Sequence, residues 1–329
     1  MPTPTTSPRS AQRRSVRQSR AVARADALFR RCWRRLPTRI DRRVIAAAWA
    51  SLAVQIGIVG TGGAVRLTGS GLGCPTWPSC TADSFVATPE MGLHGVIEFG
   101  NRALTVVLVA VAVLMFLMVV RMRSERRDLF ALSIAIGFYV PVQAIIGGIT
   151  VLTKLNPYVV GLHYFASVVL VALATVLVTR VYAEPGATER AVPRRYVALA
   201  WATATSVLIT VLLGILVTGS GPHAGDGGAA RNGLNPALMQ HIHSWPGYAT
   251  VGLTVLLLIG AGFTRSQLRQ RLWVSLLLLV EVAQVIVGIW QSRTGLPVIL
   301  VGIHLVLAVL LVAAMTSVLT HSRSLKANS

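Results

Sequence analysis

Eight stretches of this chain are apolar enough and long enough to cross a lipid bilayer, and that count limits the fold more than any other feature. A hydrocarbon layer of ~30 Å takes about 20 helical residues at ~1.5 Å each. The runs fall near 44–64, 92–120, 129–151, 158–181, 196–218, 238–262, 272–291 and 297–319, and charged segments such as 121–127, 184–195 and 265–271 separate them. Backbone immersed in lipid must satisfy its own hydrogen bonds, so each run is read as a helix. The predicted fold class is an all-α integral membrane protein with eight transmembrane helices. A composition of 53% hydrophobic and 13% charged residues excludes a water-soluble globular domain. The net charge of +20 belongs to membrane topology, and no nucleic-acid partner is expected.

The basic residues are unevenly placed. With the N-terminus inside, 26 of the 31 Lys and Arg fall on the cytoplasmic side, and only Arg66, Arg102, Lys154, Arg231 and Arg293 fall elsewhere. This distribution predicts that both termini are cytoplasmic. Residues 1–43 carry thirteen arginines among many Ser, Thr and Pro, and are read as a basic tail, disordered or lying as a helix on anionic lipid after Ala21. The basic stretch is too long for the leading region of a signal peptide, so the first span is expected to stay in the protein. Cys32 in this tail is expected to be a reduced thiol.

The two halves repeat each other. Arg66-Leu-Thr-Gly-Ser-Gly71 returns as Leu216-Val-Thr-Gly-Ser-Gly221, at an offset of 150. Val142-Gln-Ala-Ile-Ile-Gly147 returns as Ala283-Gln-Val-Ile-Val-Gly288, and Gly161-Leu-His163 as Gly302-Ile-His304, both at an offset of 141. Four spans per copy give both copies the same membrane orientation, which predicts two parallel-repeat four-helix bundles related by an axis along the membrane normal. The domains are then a tail over 1–43, an N-terminal bundle over 44–182, a cytoplasmic linker over 183–195, a C-terminal bundle over 196–320 and a short tail over 321–329.

Ionisable groups inside spans are costly and mark candidate sites. They are His94, Glu98, Arg102, His163, His241, His243, Glu281 and His304. Counting at ~1.5 Å per residue puts His163, His243 and His304 about 8 to 11 Å inside the outer ends of their spans. His243 and His304 then share one depth and suit a haem iron held from both sides. The competing reading for each His is an interhelical hydrogen bond. In the repeat frame Asn101 lies opposite His243, and His241 points to a different face from His243. Glu98 has Arg102 and His94 one turn away on either side, and is either half of a structural ion pair or a proton acceptor beside a substrate. Glu281 is expected to satisfy a neighbour such as Gln284, and His223 to be a solvated loop residue. Gly73-Cys74-Pro-Thr-Trp-Pro-Ser-Cys80 forms a tight loop on the outer face, where a disulfide closes easily. That bridge is either a staple or, as a small exposed ring, a redox pair. Trp77 within it rests on the membrane interface or covers a ligand.

Taken together these residues resemble the haem A synthase family, in its bacterial subgroup that carries a cysteine pair. The carriers are Gly62-Gly63 with Arg66-Leu-Thr-Gly-Ser-Gly-Leu72, Glu98-x-x-x-Arg102, Val151-Leu-Thr before His163, Val217-Thr-Gly-Ser-Gly-Pro222, and the pair His243 and His304, over about residues 44–320. The resemblance implies a membrane-bound oxidoreductase that turns a methyl group of haem O into a formyl group by successive hydroxylation, giving haem A for cytochrome oxidase. It implies haem b as cofactor, with His243 and His304 as its iron ligands in the C-terminal bundle. His163 would ligate the iron of the substrate haem O in the N-terminal bundle, with Glu98 as the catalytic residue beside it. Haem O synthase and cytochrome oxidase assembly factors are the implied partners, with the lipid bilayer around them, and self-association into a homo-oligomer is left open. The chain departs from the family at one place. Where the family has Glu-x-x-His-Arg, this sequence has Glu98-Phe-Gly-Asn101-Arg102. Asn101 replaces the usual second His, so the substrate iron is held by His163 alone, or His94 substitutes, or Asn101 hydrogen-bonds a ligand.

Two other readings compete. A duplicated b-type cytochrome acting only as a membrane electron carrier explains His243 and His304, but a carrier would keep both ligand pairs. A transporter built from parallel repeats predicts broken helices at mid-membrane, whereas the Thr-Gly-Ser-Gly segments sit at the outer ends of spans one and five.

Overall fold

The fold is described by a computed structural model that covers residues 30–183, 192–262 and 267–322, together with positions 23, 26 and 27. It is all-helical. Among the described residues eight helices are long and apolar enough to cross a membrane: α1 Arg42–Leu67, α2 Gly92–Val119, α3 Arg127–Leu152, α4 Pro157–Val181, α5 Arg194–Ser220, α6 Pro236–Ala261, α7 Gln267–Arg293 and α8 Val298–His321. Most outrun the apolar run that announces them at one or both ends, as at α1, α4 and α6, where polar caps lie beyond the hydropathy signal. Asp41 accepts hydrogen bonds from the amides of Arg43 and Val44 to start α1. Asn156 and Asn235 do the same for α4 and α6, each followed by a proline in the first turn, where its missing N–H costs nothing.

Helix contacts form two rings. In the N-terminal ring α1 touches α2 and α4, and α3 touches α2 and α4. In the C-terminal ring α5 touches α6 and α8, and α7 touches α6 and α8. The seam joins α1 and α4 to α8, and α4 to α5. Close approach at the seam depends on small residues: a Cβ at Gly63 would meet Leu305 at 3.3 Å, and one at Gly161 would meet Ile215. Tyr164 donates across it to the carbonyl of Leu305 at 3.3 Å.

Both rings close their last hairpin with one backbone shape. Between α3 and α4, Lys154 and Leu155 have φ of 52° and 59°, and between α7 and α8, Gly295 and Leu296 have 77° and 61°. The amide of Leu155 bonds to Thr150 and that of Leu296 to Gln291, the pairing expected of a helix that ends on a left-handed residue. The turn brings α4 and α8 back beside α3 and α7 at equal depth, so His163 and His304 both stand six residues inside their helices.

Residues 1–22, most of the linker at 184–191 and the end of the tail at 323–329 lie outside the described residues, as does the expected disorder of the tail. Residues 30–35 are helical. Arg121, in the turn between α2 and α3, donates to the carbonyls of Trp33, Arg34 and Leu36 at 3.2, 3.3 and 2.9 Å, which fixes this end of the tail against that turn.

Candidate functional site

In the C-terminal ring His243 of α6 faces His304 of α8. Their ring centres are 6.4 Å apart and their planes nearly perpendicular, at 76°. Nδ1 of His243 lies 2.9 Å from the carbonyl oxygen of Thr210 on α5. Each ring rests on a glycine of the neighbouring helix. A Cβ at Gly214 would stand 3.0 Å from Cε1 of His243, and one at Gly288 would stand 3.2 Å from Cε1 of His304. Gln284, one turn before Gly288, donates to the carbonyl of His304 at 3.1 Å.

The N-terminal ring holds half of the same arrangement. His163 rests on Gly147, where a Cβ would stand 3.0 Å from its Cε1. Gln143 donates to the carbonyl of His163 at 2.8 Å. Asn101 occupies the place corresponding to His243, and its Oδ1 accepts from the Thr61 hydroxyl at 2.8 Å. His94 lies in the first turn of α2, exposed, with Nδ1 2.9 Å from the Ser70 hydroxyl. It lines an open cleft of about 630 Å³ with Gly69, Gly73, Pro75 and Asp226, and it is not the partner of Glu98 that the helical spacing suggested.

Glu98 is 4% exposed and is held from two directions. Its Oε1 accepts from Nη2 and Nε of Arg102 at 2.5 and 3.1 Å, and its Oε2 accepts the amide of Cys74 at 2.6 Å. Arg102 continues into the loop, donating to the carbonyls of Cys74, Thr76 and Ser79 at 2.7, 2.8 and 3.3 Å. The ion pair therefore exists, and the loop between the cysteines is wrapped around it. Cys74 and Cys80 form a disulfide, and both residues are fully buried. The expectation of an exposed ring is thus corrected. The indole of Trp77 occupies the space beside Gly148 that a Cβ there would need, directly next to the glycine that seats His163. Trp77 therefore lies against α3 beside the His163 pocket.

Two further expectations change. His223 is not a free loop residue, since its Nε2 lies 2.9 Å from the carbonyl of Leu296 and ties the α5–α6 loop to the α7–α8 turn. Glu281 takes its hydrogen bond from Thr254 at 2.8 Å, because Gln284 on the same helix is turned to His304. Sequence reasoning assigned no role to Gly147, Gly214, Gly288 or Thr210. The recurring Gln-x-x-x-Gly was visible, but its purpose needs the partner helix.

The arrangement suits a porphyrin iron. Two imidazoles that hold one metal from opposite sides, each at about 2 Å, set their ring centres roughly 6 to 7 Å apart. Among the described residues no group of three or more His, Cys, Asp or Glu converges, so two imidazoles suit a metal that brings four donors of its own. The glycine seats leave each ring a place that any larger residue would fill.

Comparison with known proteins agrees with this geometry. A family model described as cytochrome oxidase assembly protein matches residues 46–316. The chain is 36% identical over 147 residues to a protein named heme A synthase from Bacillus pumilus, covering 41% of this chain and 45% of that protein. It is 33% identical over 119 residues to a heme A synthase of Lysinibacillus sphaericus, covering 35% of this chain and 38% of that one. It is 31% identical over 173 residues to a heme A synthase of Staphylococcus epidermidis, covering 50% and 54%. The matched regions thus span about half or less of these relatives. Across nearly the whole of its membrane-spanning part, this chain belongs to the cytochrome oxidase assembly protein family.

Proposed function

We propose that the protein is a haem A synthase that oxidises a methyl group of haem O to a formyl group, with haem b between His243 and His304 in the C-terminal ring and haem O against His163 in the N-terminal ring. One observation carries this reading. Two rings of the same design differ at a single ligand position, where one has a facing His pair at 6.4 Å and the other has His163 with Asn101 tied to Thr61. A carrier of electrons would keep both pairs, whereas an enzyme needs one resident group and one that comes and goes.

Haem b would be held by His243 and His304, and the chemistry it would supply there is electron transfer. The carbonyl of Thr210 keeps the proton of His243 on Nδ1 and so presents Nε2 to the iron. Gly214 and Gly288 let the two rings stand at that spacing. On the substrate side His163 orients haem O from one face, and Asn101, held by Thr61, is a neutral amide rather than a second ligand. Glu98 is the acid-base group: Arg102 fixes its Oε1, and Oε2, which accepts the Cys74 amide, keeps a lone pair free to hold a proton. The disulfide holds the loop that supplies this amide, and Trp77 shields the His163 pocket from the outer side. Both termini are cytoplasmic and the Cys74–Cys80 loop extracytoplasmic in this reading, with haem O passed on within the bilayer by haem O synthase.

The test is haem extraction and chromatography from protein made with and without a source of haem O. Haem A or a hydroxylated intermediate present only when haem O is supplied is the expected result. Haem b alone under both conditions establishes the electron carrier instead, and no haem overturns both.

Two smaller expectations follow from the same geometry. Gly214→Val places branched atoms where Cε1 of His243 lies, and should weaken haem retention about tenfold or more, by analogy with other supporting residues around metal ligands, measured as haem per protein after dilution. Cys32 is a free, exposed thiol, so an impermeant maleimide should label it in inverted vesicles and leave it untouched in right-side-out ones. The opposite pattern would reverse the assigned topology.

A further inference from the structure

The repeated Gln-x-x-x-Gly does more than the glycine alone explains. Residues four apart share one face of a helix, so Gln143 and Gly147 address His163 together, as Gln284 and Gly288 address His304. In each ring the amide nitrogen of the glutamine is engaged by the histidine's own carbonyl, at 2.8 Å for Gln143 and 3.1 Å for Gln284. What remains is the same in both. Oε1 of Gln143, Nδ1 of His163, Oε1 of Gln284 and Nδ1 of His304 are all buried with no hydrogen-bond partner. They make up one half of all such side-chain atoms among the described residues.

These four atoms are complementary. A histidine that gives Nε2 to a metal carries its proton on Nδ1 and becomes a donor there, while a glutamine Oε1 can only accept. His243 already has its acceptor in the carbonyl of Thr210. Nδ1 of His163 and of His304 has none, and the side chain that reaches the carbonyl of each from the neighbouring helix is a glutamine. The terminal torsion of glutamine is broad, so a modest turn of the amide serves both the carbonyl and the imidazole. We propose that Gln284 and Gln143 are positioning residues whose amide oxygens accept the Nδ1–H of His304 and His163 when Nε2 of each is engaged by haem iron. The inference rests on the haem reading above. It assigns to the glutamines two consequences, a fixed ring orientation and a more basic ligand.

The readout is the midpoint potential of haem retained by the purified full-length protein, with haem retention measured beside it. An accepted Nδ1–H makes imidazole a stronger donor to iron and favours the oxidised form. Gln284→Leu is therefore expected to raise the potential and to weaken retention by about 10- to 100-fold. Gln284→Glu, which keeps an acceptor oxygen at the same reach, is expected to restore retention and bring the potential to the original value or below it. Gln143→Leu should leave the potential of the haem between His243 and His304 unchanged, and a shift there would overturn its assignment to His163. A Gln284→Leu protein whose remaining haem has the original potential overturns the proposal, because a glutamine that only braces a backbone carbonyl would alter retention alone. If Gln284→Leu fails to accumulate, Gln284→Glu decides: a raised potential in that variant overturns the proposal. An unsubstituted protein that holds no haem overturns the functional reading and this inference with it, whereas haem present with an unmoved potential overturns only the inference.

Discussion

His304→Ala is expected to yield a protein that still inserts its membrane helices and lacks the low-spin spectrum of a doubly imidazole-ligated haem. The ring of His304 makes no hydrogen bond of its own, since Nδ1 is buried without a partner. Its carbonyl keeps Gln284, and α8 remains packed on α1, α4, α5 and α7. No hydrogen bond that holds the helix in place is removed, yet one of the two proposed protein bonds to the iron would be gone. The expected loss of haem is complete at the concentrations of a purified preparation. Added imidazole should return the spectrum, because Gly288 and the missing ring together leave room for it. His163→Ala should leave that spectrum alone while abolishing turnover, since the two histidines belong to different rings. A His304→Ala protein with an unaltered spectrum would remove haem b from this place.

Arg102→Ala should be among the most destabilising single substitutions in the chain. The guanidinium is the hub of the Cys74–Cys80 loop, with two bonds to Glu98 and three to carbonyls between Cys74 and Ser79. Its loss leaves a buried carboxylate with only the Cys74 amide, and strips three carbonyls at once. Breaking a buried pair from one side costs about 3–5 kcal/mol, far more than an exposed pair is worth. Glu98→Gln is the milder change, because a neutral amide still accepts from Cys74 and Arg102 keeps its carbonyls. The order expected in thermal or denaturant unfolding is thus Arg102→Ala well below Glu98→Gln, with Glu98→Gln near the original protein. Turnover should follow the other order of interest: Glu98→Gln, stable and loaded with haem b, is expected to lose about 10²- to 10⁴-fold in rate if Glu98 moves a proton. Equal stability of the two variants would show that the pair is not the keystone of the loop.

The features that could be read from sequence are those set by the bilayer or by duplication. Apolar runs located all eight helices because lipid allows no other backbone, and their ends were short by a few residues because Asp41, Asn156 and Asn235 are polar and lie past the run. The offset of 141 placed His163 and His304 at matching depths, since equivalent turns with left-handed Leu155 and Leu296 return the chain at one height. Where the reading failed, a partner on another helix decided the outcome. Glu281 was matched with a residue on its own helix face, but Thr254 of α6 reaches it first. His223 looked free in a loop whose counterpart, the turn at Leu296, is over seventy residues away. The cysteine ring looked exposed because its burial comes from α2 lying across it. A glycine in an apolar run has many uses, and only the imidazole resting on it reveals which one applies.

Arg66 closes α1 and then leaves its own ring. Its Nε and Nη2 donate to the carbonyls of His223 and Thr218 at 2.7 and 2.8 Å, and a few residues on the amide of Gly71 bonds to the carbonyl of Gly225 at 2.8 Å. These stitches join the outer loops of the two copies, and the glycine contacts between α1 and α8 join their walls. Ties of this kind oppose the rocking of one copy against the other on which an alternating-access carrier depends. A ligand too large for a crevice at the seam is then expected to enter sideways, by parting helices within one ring on its lipid face, with the spacing between the rings kept.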